Sequence, residues 1–349
     1  MRVLVLASGD LWAGAEAVVY QLIHGLKKTD GMDVFSVFFN DGRLAELTRE
    51  TGVRTVVIDE SRKNFLSIMM EFIRIIREYR PDIIHSHRNK ENVLAAFARP
   101  ASMKSRLVTT LHGLSEGNTR LRSRIVHGLN LAVMATCFHK LVAVSQDIAD
   151  HLRKTSLMPE NKIVQIYNGI QLPGNRREKD HREDSITIGS AGRLFPVKDY
   201  PLMVRIAREV CSVRVNTRFL LAGDGPEMKM LQNMVRDSNL EDRFILLGNV
   251  IDMEGFYDAL DMYINTSVHE GIPMTVLEAM AHAKPVIAPA VGGFNEIITQ
   301  GEDGYLIPSR SAEDFTRQVV TLIDQREKRL RMGRKARNKV EGMFTAEHM

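Results

Sequence analysis

Cysteine is nearly missing from this chain. Among 349 residues only Cys137 and Cys211 occur, far apart and without metal-ligand spacing. That excludes a disulfide scaffold and a thiolate zinc site, and it fits a reducing compartment. Long apolar runs are missing too. The nearest, Ile125 to Val144, is interrupted by His127, Asn130, His139 and Lys140, short of the ~18–20 apolar residues that cross a bilayer. The opening Met1-Arg2-Val3-Leu4-Val5-Leu6 is too brief an apolar stretch for a secretory signal. A cytoplasmic protein is expected, peripheral on the inner face of the cell membrane at most. A dominant sign of charge is also lacking. Forty-seven Lys+Arg against 43 Asp+Glu leave a net of +4, too mild a field for nucleic acid. No short-period repeat and no low-complexity tract occurs.

What is present begins with 44% hydrophobic residues, an ordinary content that supports a full core. The length favours two domains over one. The small net charge is unevenly spread: residues 1–172 hold 23 Lys+Arg and 17 Asp+Glu (+6), while residues 185–349 hold 20 and 22 (−2). A basic first half makes an anionic lipid surface or a polyanionic acceptor a candidate partner.

Short β-rich runs alternate with amphipathic segments through the first half. Strands are expected at Arg2–Ala7, Val34–Phe39, Thr55–Ile58, Asp82–His85, Leu107–Leu111, Lys140–Val144 and Lys162–Ile166. The polar stretch 173–184, Pro-Gly-Asn-Arg-Arg-Glu-Lys-Asp-His-Arg-Glu-Asp, has no core face and reads as a linker. A second series follows at Ile186–Ala191, Arg218–Ala222, Phe244–Leu247, Met262–Asn265, Pro285–Ala288 and Gly304–Ile307. Strands alternating with helices mean parallel sheets covered on both faces. The expected architecture is α/β, with a domain over 1–172, a linker over 173–184 and a second domain over 185–349. Two such halves imply a cleft between them.

The most informative segment runs from His269 to Ala281, His-Glu-Gly-Ile-Pro-Met-Thr-Val-Leu-Glu-Ala-Met-Ala. A Gly-x-Pro turn separates two carboxylates, placing Glu270 on a loop and Glu278 in the first turn of a helix. Both then flank unpaired backbone N–H groups, an anion site. A ligand with both phosphates and hydroxyls, such as a nucleotide sugar, suits that pairing. A capping box between Thr275 and Glu278 is the competing reading of the second acid.

Other loops point the same way. Gly192-Arg193-Leu194-Phe195-Pro196-Val197-Lys198 puts two cations on a Pro-stiffened loop after a strand, where they can hold a diphosphate; unpaired surface charge is the alternative. Gly9 and Gly14 bracket a loop that opens into a helix, without the spacing of a dinucleotide fingerprint. Ala222-Gly223-Asp224-Gly225-Pro226 reads as a tight turn with Pro226 at the first helical position. His112 ends a strand before Gly113 and could meet a sugar hydroxyl. His85 and His87, two apart, are expected to face away from each other.

Together these residues resemble the retaining nucleotide-sugar glycosyltransferases of family 4, with the GT-B architecture of two Rossmann-like parallel-sheet domains facing an interdomain cleft. The resemblance spans nearly the whole chain. Its most specific element is Glu-x7-Glu, met by Glu270 and Glu278 with Gly271 and Pro273 in familiar places. Gly192-Arg193-Leu194 with Lys198, Ala222 to Pro226 and Gly292-Gly293 match the second-domain pattern. Gly14-Ala15-Glu16, His112-Gly113, Val144-Ser145 and Asn168-Gly169 match that of the first.

The resemblance implies roles. Arg193 and Lys198 would grip the donor diphosphate, joined by the N–H of Gly14. Glu270 would bind hydroxyls of the donor sugar and Glu278 those of the ribose. The backbone around Gly271, Met274 and Thr275 would contact sugar or phosphate. Asn249 and Val250 stand where the base is usually held, and His112 would touch the donor sugar beside the anomeric carbon. It also implies retaining transfer without a metal or other cofactor, in keeping with the lack of an Asp-x-Asp triplet. The leaving phosphate would then help to deprotonate the acceptor. Gln171 stands where the family usually has Asp, and relatives commonly continue with a helix crossing back onto the first domain.

The expected reaction moves a hexose or N-acetylhexosamine from a UDP- or GDP-sugar to a glycan or lipid-linked acceptor, in cell-surface polysaccharide or lipopolysaccharide synthesis. Two rivals share the fold: a nucleotide-sugar 2-epimerase, for which no acid/base pair stands out, and a catalytically silent nucleotide-sugar-binding subunit, which would be expected to have lost one of Arg193, Lys198, Glu270 or Glu278. The helix from Phe65 with Arg74, Arg77 and Arg80, and the cluster Arg120, Arg122 and Arg124, suggest an anionic membrane surface; a solvated helix face is the alternative. Acceptor choice is expected to reside in the loops Leu11–Trp12, Arg88–Asn92 and Ser115–Arg124.

Overall fold

The computed structural model describes residues 1–9, 12–113, 121–155, 158–174 and 185–349; for 121–127 the description is of the backbone. Most of the expected linker therefore lies outside the described residues. So do Leu11, residues 115–120 and the side chains of Arg122 and Arg124.

The chain divides into two compact units, Met1–Gly169 with Ala346–Met349, and Ile170–Thr345. The first unit holds seven parallel strands: β1 (Arg2–Ala7), β2 (Asp33–Phe38), β3 (Arg54–Val57), β4 (Ile83–Ser86), β5 (Arg106–Leu111), β6 (Lys140–Ala143) and β7 (Ile163–Gln165). Their order is β3-β2-β1-β4-β5-β6-β7. The second holds β8 (Ile186–Ala191), β9 (Thr217–Ala222), β10 (Phe244–Gly248), β11 (Met262–Ile264), β12 (Val286–Pro289) and β13 (Gly304–Ile307), ordered β10-β9-β8-β11-β12-β13 and again parallel. Every strand expected from the sequence is present, with ends shifted by a residue or two.

The reason is burial on both faces. In β1, Leu4 and Leu6 pack into one core with Phe72 and Ile76 of the helix Phe65–Tyr79. Val3, Val5 and Ala7 face the other way, onto Val19 and Ile23 of the helix Gly14–Lys28. A strand clad on both sides must be apolar at nearly every position, and each such side chain contributes about 1.5–3 kcal/mol on burial. The second unit has its own core around Ile188, Phe219, Leu221, Met262 and Ile287.

In each sheet the order of winding reverses once, beside β1 and β4 in the first unit and beside β8 and β11 in the second. Loops leaving the carboxyl ends of such strands diverge and open a crevice. The sequence-predicted residues sit on these loops or in the first turns of the helices that follow them. The second unit closes with two helices, Ala312–Asp324 and the long Arg326–Met343, separated by Gln325 alone.

Candidate functional site

In the second unit β8 runs out at Ala191 and turns at Gly192 into Arg193. The Arg193 side chain is exposed, lies over the Phe195 ring at 5.0 Å, and forms no ion pair among the described residues. A 3₁₀ turn, Pro196–Lys198, then presents Lys198. Beyond β11, the loop 265–271 presents Glu270. Lys198 Nζ and the Glu270 carboxylate form an ion pair between side chains that are 19% and 17% exposed. Ser267 Oγ donates to the same carboxylate oxygen at 2.8 Å. Two residues 72 positions apart, picked out from separate motifs, thus meet at the point where the winding reverses.

The two loops are stitched together. Thr266 Oγ1 donates to the Lys198 carbonyl at 2.9 Å, and the Val268 amide to that of Val197 at 2.7 Å. Arg310 spans both, pairing with Asp199 and donating to the carbonyls of Thr266 and Ser267 at 3.2 Å each. Two further turns hold them from outside. The Leu194 amide donates to the Asp224 carbonyl at 2.9 Å, and a Cβ on Gly223, whose φ is +136°, would lie 2.0 Å from the Gly192 carbonyl oxygen. The Gly293 amide donates to the Glu270 carbonyl at 3.1 Å, where a Cβ would come within 1.8 Å of the Gly271 oxygen. Only glycine allows either approach. The Asp224 turn ends before its helix, which begins at Met228, so Pro226 is not the first helical residue.

After Gly271 the helix Met274–Ala281 starts on Pro273 with no side-chain cap. Its first amides, at Met274 and Thr275, are the ones a helix leaves without an internal partner. The capping box is not formed, and Glu278 is not in the first turn. It is the fifth residue of the helix and half-buried, and its Oε2 accepts from Tyr257 OH at 2.6 Å. Burial pushes the Glu278 carboxyl up, and the tyrosine hydrogen bond, which favours the charged form, pulls it back. Asn249 and Val250 follow β10 at the same carboxyl edge but form no hydrogen bond or ion pair with Arg193, Lys198, Glu270 or Glu278 among the described residues.

The first unit is built differently. Gly14 opens the helix Gly14–Lys28 with no side-chain cap, and the buried Glu16 of its first turn pairs with Arg88. His112 follows β5, with its Nε2 3.1 Å from His87 Nδ1 and the two rings stacked. His85 and His87 do not face apart: their rings stack at 4.5 Å. Residues i and i+2 of a strand share a face, so the opposite expectation had the parity inverted. His85 Nε2 lies 2.8 Å from Thr110 Oγ1. Burial drives all three imidazoles down, His85 to about 4, His112 to about 3 and His87 well below the usual value. They are neutral near pH 7. His87 Nε2 and His112 Nδ1 find no partner among the described residues. A cavity of about 50 Å³ beside His85, His87 and Thr110 has room for a few waters and not for a sugar ring.

Sequence reasoning missed Tyr257, Ser267, Arg310 and Asp199, and turned His87 the wrong way. Ser267 meets Glu270 three residues on, but the contacts of the others span up to 111 residues, and no local spacing announces those.

Comparison with known proteins gives consistent matches in sequence and fold. The model described as "Glycosyltransferase Family 4" matches residues 12–172, and that described as "Glycosyl transferases group 1" matches residues 173–339. A relative in Escherichia coli, the UDP-Gal:alpha-D-GlcNAc-diphosphoundecaprenol alpha-1,3-galactosyltransferase, is 24% identical over 85% of this chain and 84% of its own. The N-acetyl-alpha-D-glucosaminyl L-malate synthase of Bacillus anthracis is 25% identical over 81% and 76%. Among solved structures, HepE of Anabaena in complex with UDP and glucose superposes with a TM-score of 0.87 at 20% identity, covering 99% of this chain and 96% of that one.

Proposed function

Because this chain belongs to the family 4 glycosyltransferases of GT-B fold, we propose that it transfers a hexose or N-acetylhexosamine, with retention, from a UDP- or GDP-sugar to a glycan or lipid-linked acceptor of cell-surface polysaccharide synthesis. The observation that carries this reading is the meeting of Lys198 with Glu270 on loops that also bear Arg193, which forms no ion pair among the described residues. A nucleotide sugar offers each group a counterpart: phosphate oxygens for the cations, sugar hydroxyls for the carboxylate. The acid is held by a cation and a serine, an arrangement for accepting hydrogen bonds and not for delivering a proton. Glu270 and Glu278 are thus two binding groups.

The chemistry asks for charge stabilisation on a departing diphosphate. Arg193, Lys198 and the first helical amides, at Met274 and Thr275, provide it, since fixed donors near a low-dielectric site act on developing charge without reorganising. The reading routes no step through a metal, and EDTA should leave the rate unchanged. Glu278 takes the ribose hydroxyls, and Asn249 and Val250 the base. The first unit contributes the uncapped helix start at Gly14 and the neutral His112 as donor contacts, and its loops choose the acceptor.

A membrane-bound acceptor suits one face of the first unit. Along the helix Phe65–Tyr79, Leu66, Met70, Arg74 and Arg77 fall on one stripe, with Leu66 66% and Met70 58% exposed. Arg74, Arg77 and Arg80 form no ion pairs among the described residues. Apolar anchors followed by free arginines fit an anionic bilayer surface. No helix among the described residues is long and apolar enough to cross a membrane. Sedimentation with anionic vesicles at low salt tests this docking, which fails if the protein stays in the supernatant.

A panel of UDP-, GDP- and ADP-sugars, followed for released nucleotide and for sugar epimerisation, tests the reaction. Turnover that names one donor is expected. An epimerised sugar nucleotide, or tight binding with no turnover, would replace the transferase reading.

A further inference from the structure

We infer that Tyr257 is the positioning residue for the ribose-binding carboxylate and sets the preference for a donor with intact ribose hydroxyls. The inference rests on the reading of Glu278 as the ribose contact.

Tyr257 sits on the short helix Met253–Asp258, ahead of β11, and is 1% exposed. A phenol that deeply placed requires a partner for its hydroxyl. It has one: the O–H donates to Glu278 Oε2 at 2.6 Å. Glu278 Oε1 takes no partner among the described residues, and the residue is only half-buried. One carboxylate oxygen is therefore committed inward and the other is left for a ligand. The committed bond fixes the plane of the carboxylate and hence the direction in which Oε1 presents its lone pairs.

The tyrosine is itself immobilised. Its ring lies 5.3 Å from that of Phe256, 6.1 Å from that of Tyr263 and 5.3 Å from that of His282. His282, one turn beyond Glu278 on the same segment, is in turn held by Asp258, the neighbour of Tyr257, at 2.9 Å. The helix bearing the tyrosine and the helix bearing the glutamate are thus joined twice, by Tyr257–Glu278 and by Asp258–His282. A free carboxylate rotates about its last bond, and a ribose diol needs it at one angle. Tyr257 supplies that angle, and its hydrogen bond also favours the ionised form that can accept from a diol.

The test measures binding of UDP or GDP, whichever the wild type binds more tightly, and of its 2′,3′-dideoxy form, by calorimetry. Four proteins are compared: wild type, Tyr257→Phe, Glu278→Ala and the double variant. Wild type should prefer the ribonucleotide, and Glu278→Ala should erase that preference. Tyr257→Phe should weaken ribonucleotide binding by about five- to tenfold, leave dideoxynucleotide binding unchanged and keep kcat at saturating donor near the wild-type value. In the Glu278→Ala background it should add nothing, because its effect passes through the carboxylate. Thermal melts confirm that each variant is folded. If Glu278→Ala erases the preference while Tyr257→Phe keeps it, the positioning role is wrong and the ribose assignment stands. If Tyr257→Phe weakens both nucleotides alike, the tyrosine is merely structural and the inference is overturned. If Glu278→Ala keeps the preference, the ribose assignment itself fails and takes the inference with it.

Discussion

Both units wind their sheets the same way, and both have a loop-lined edge where the order reverses, yet the two edges hold opposite chemistry. In the second unit the reversal beside β8 and β11 gathers cations on exposed or half-buried loops, with Arg193 in no ion pair among the described residues and Lys198 held by Glu270. In the first, β4 and β5 end in three stacked imidazoles that burial keeps neutral. One edge offers cations, and the other offers neutral imidazoles beside an arginine, Arg88, already paired with Glu16. The sheet decides where loops converge and nothing about what they carry. A donor with two phosphates suits the charged edge. A reacting centre whose leaving group takes the negative charge suits neighbours that are neutral.

The largest expected effect tests the charged edge. Lys198→Ala and Glu270→Ala should each lower kcat by about 10²–10³-fold, with the melting temperature within a few degrees of wild type. Near-normal turnover by either variant would remove the basis of the donor assignment. Arg193→Ala should raise KM for the donor by roughly tenfold or more, and Arg193→Lys should recover only part, since a lysine cannot grip a phosphate with two parallel bonds. His112→Ala, at the neutral edge, should cost less, about five- to tenfold in kcat/KM. A loss there as large as that of Lys198 would collapse the contrast.

Acid separates the units by stability. The folded pKa values of His85 and His112, about 4 and about 3, lie below the 6.5 of a free imidazole. As pH falls, the unfolded chain binds protons first, so this stability is intact above about 6.5 and is lost on the way down to 4 and 3. The slope is about 1.4 kcal/mol per pH unit for each histidine. Hydrogen exchange at pH 7 and pH 5 should show the peptides of β4 and β5 loosening more than those of β8 and β11. Equal loosening would contradict the burial of the imidazoles. The smallest effect lies away from both edges. Asn64 Oδ1 caps the helix Phe65–Tyr79 by accepting from the Ser67 amide at 2.9 Å, so Asn64→Ala should cost about 1 kcal/mol with no change in kcat.

The strands were legible because clad strands are short apolar runs bounded by turns, as in Arg2–Ala7 and Ile186–Ala191. The helix Arg326–Met343 was not. Its buried side is made of Arg329, Met332, Gly333, Ala336 and Val340, so charge and small residues stand where a hydrophobic stripe would be sought. Arg329 is buried because it donates to the carbonyls at the end of the preceding helix, at 2.6 Å to Leu322 and 3.2 Å to Ile323. In the candidate site, the residues that carry charge could be read from their own loops. Tyr257 and Arg310 could not, because their meaning lies in a partner elsewhere in the chain. The inverted reading of His85 and His87 was an error of parity that the two-residue period of a strand would have prevented.

The chain enters the second unit at Ile170 and leaves it at Thr345, and these two residues form a bridge, with the Ile170 amide 2.9 Å from the Phe344 carbonyl. The second unit is thus an insertion whose two ends are already fastened to each other. A fragment spanning 170–345 keeps its core, its sheet and the Lys198–Glu270 pair, and cutting it free separates no ends that the fold needs together. The part of donor recognition carried by Arg193, Lys198, Glu270 and Glu278 should then be measurable, as nucleotide binding, on a polypeptide of half the size.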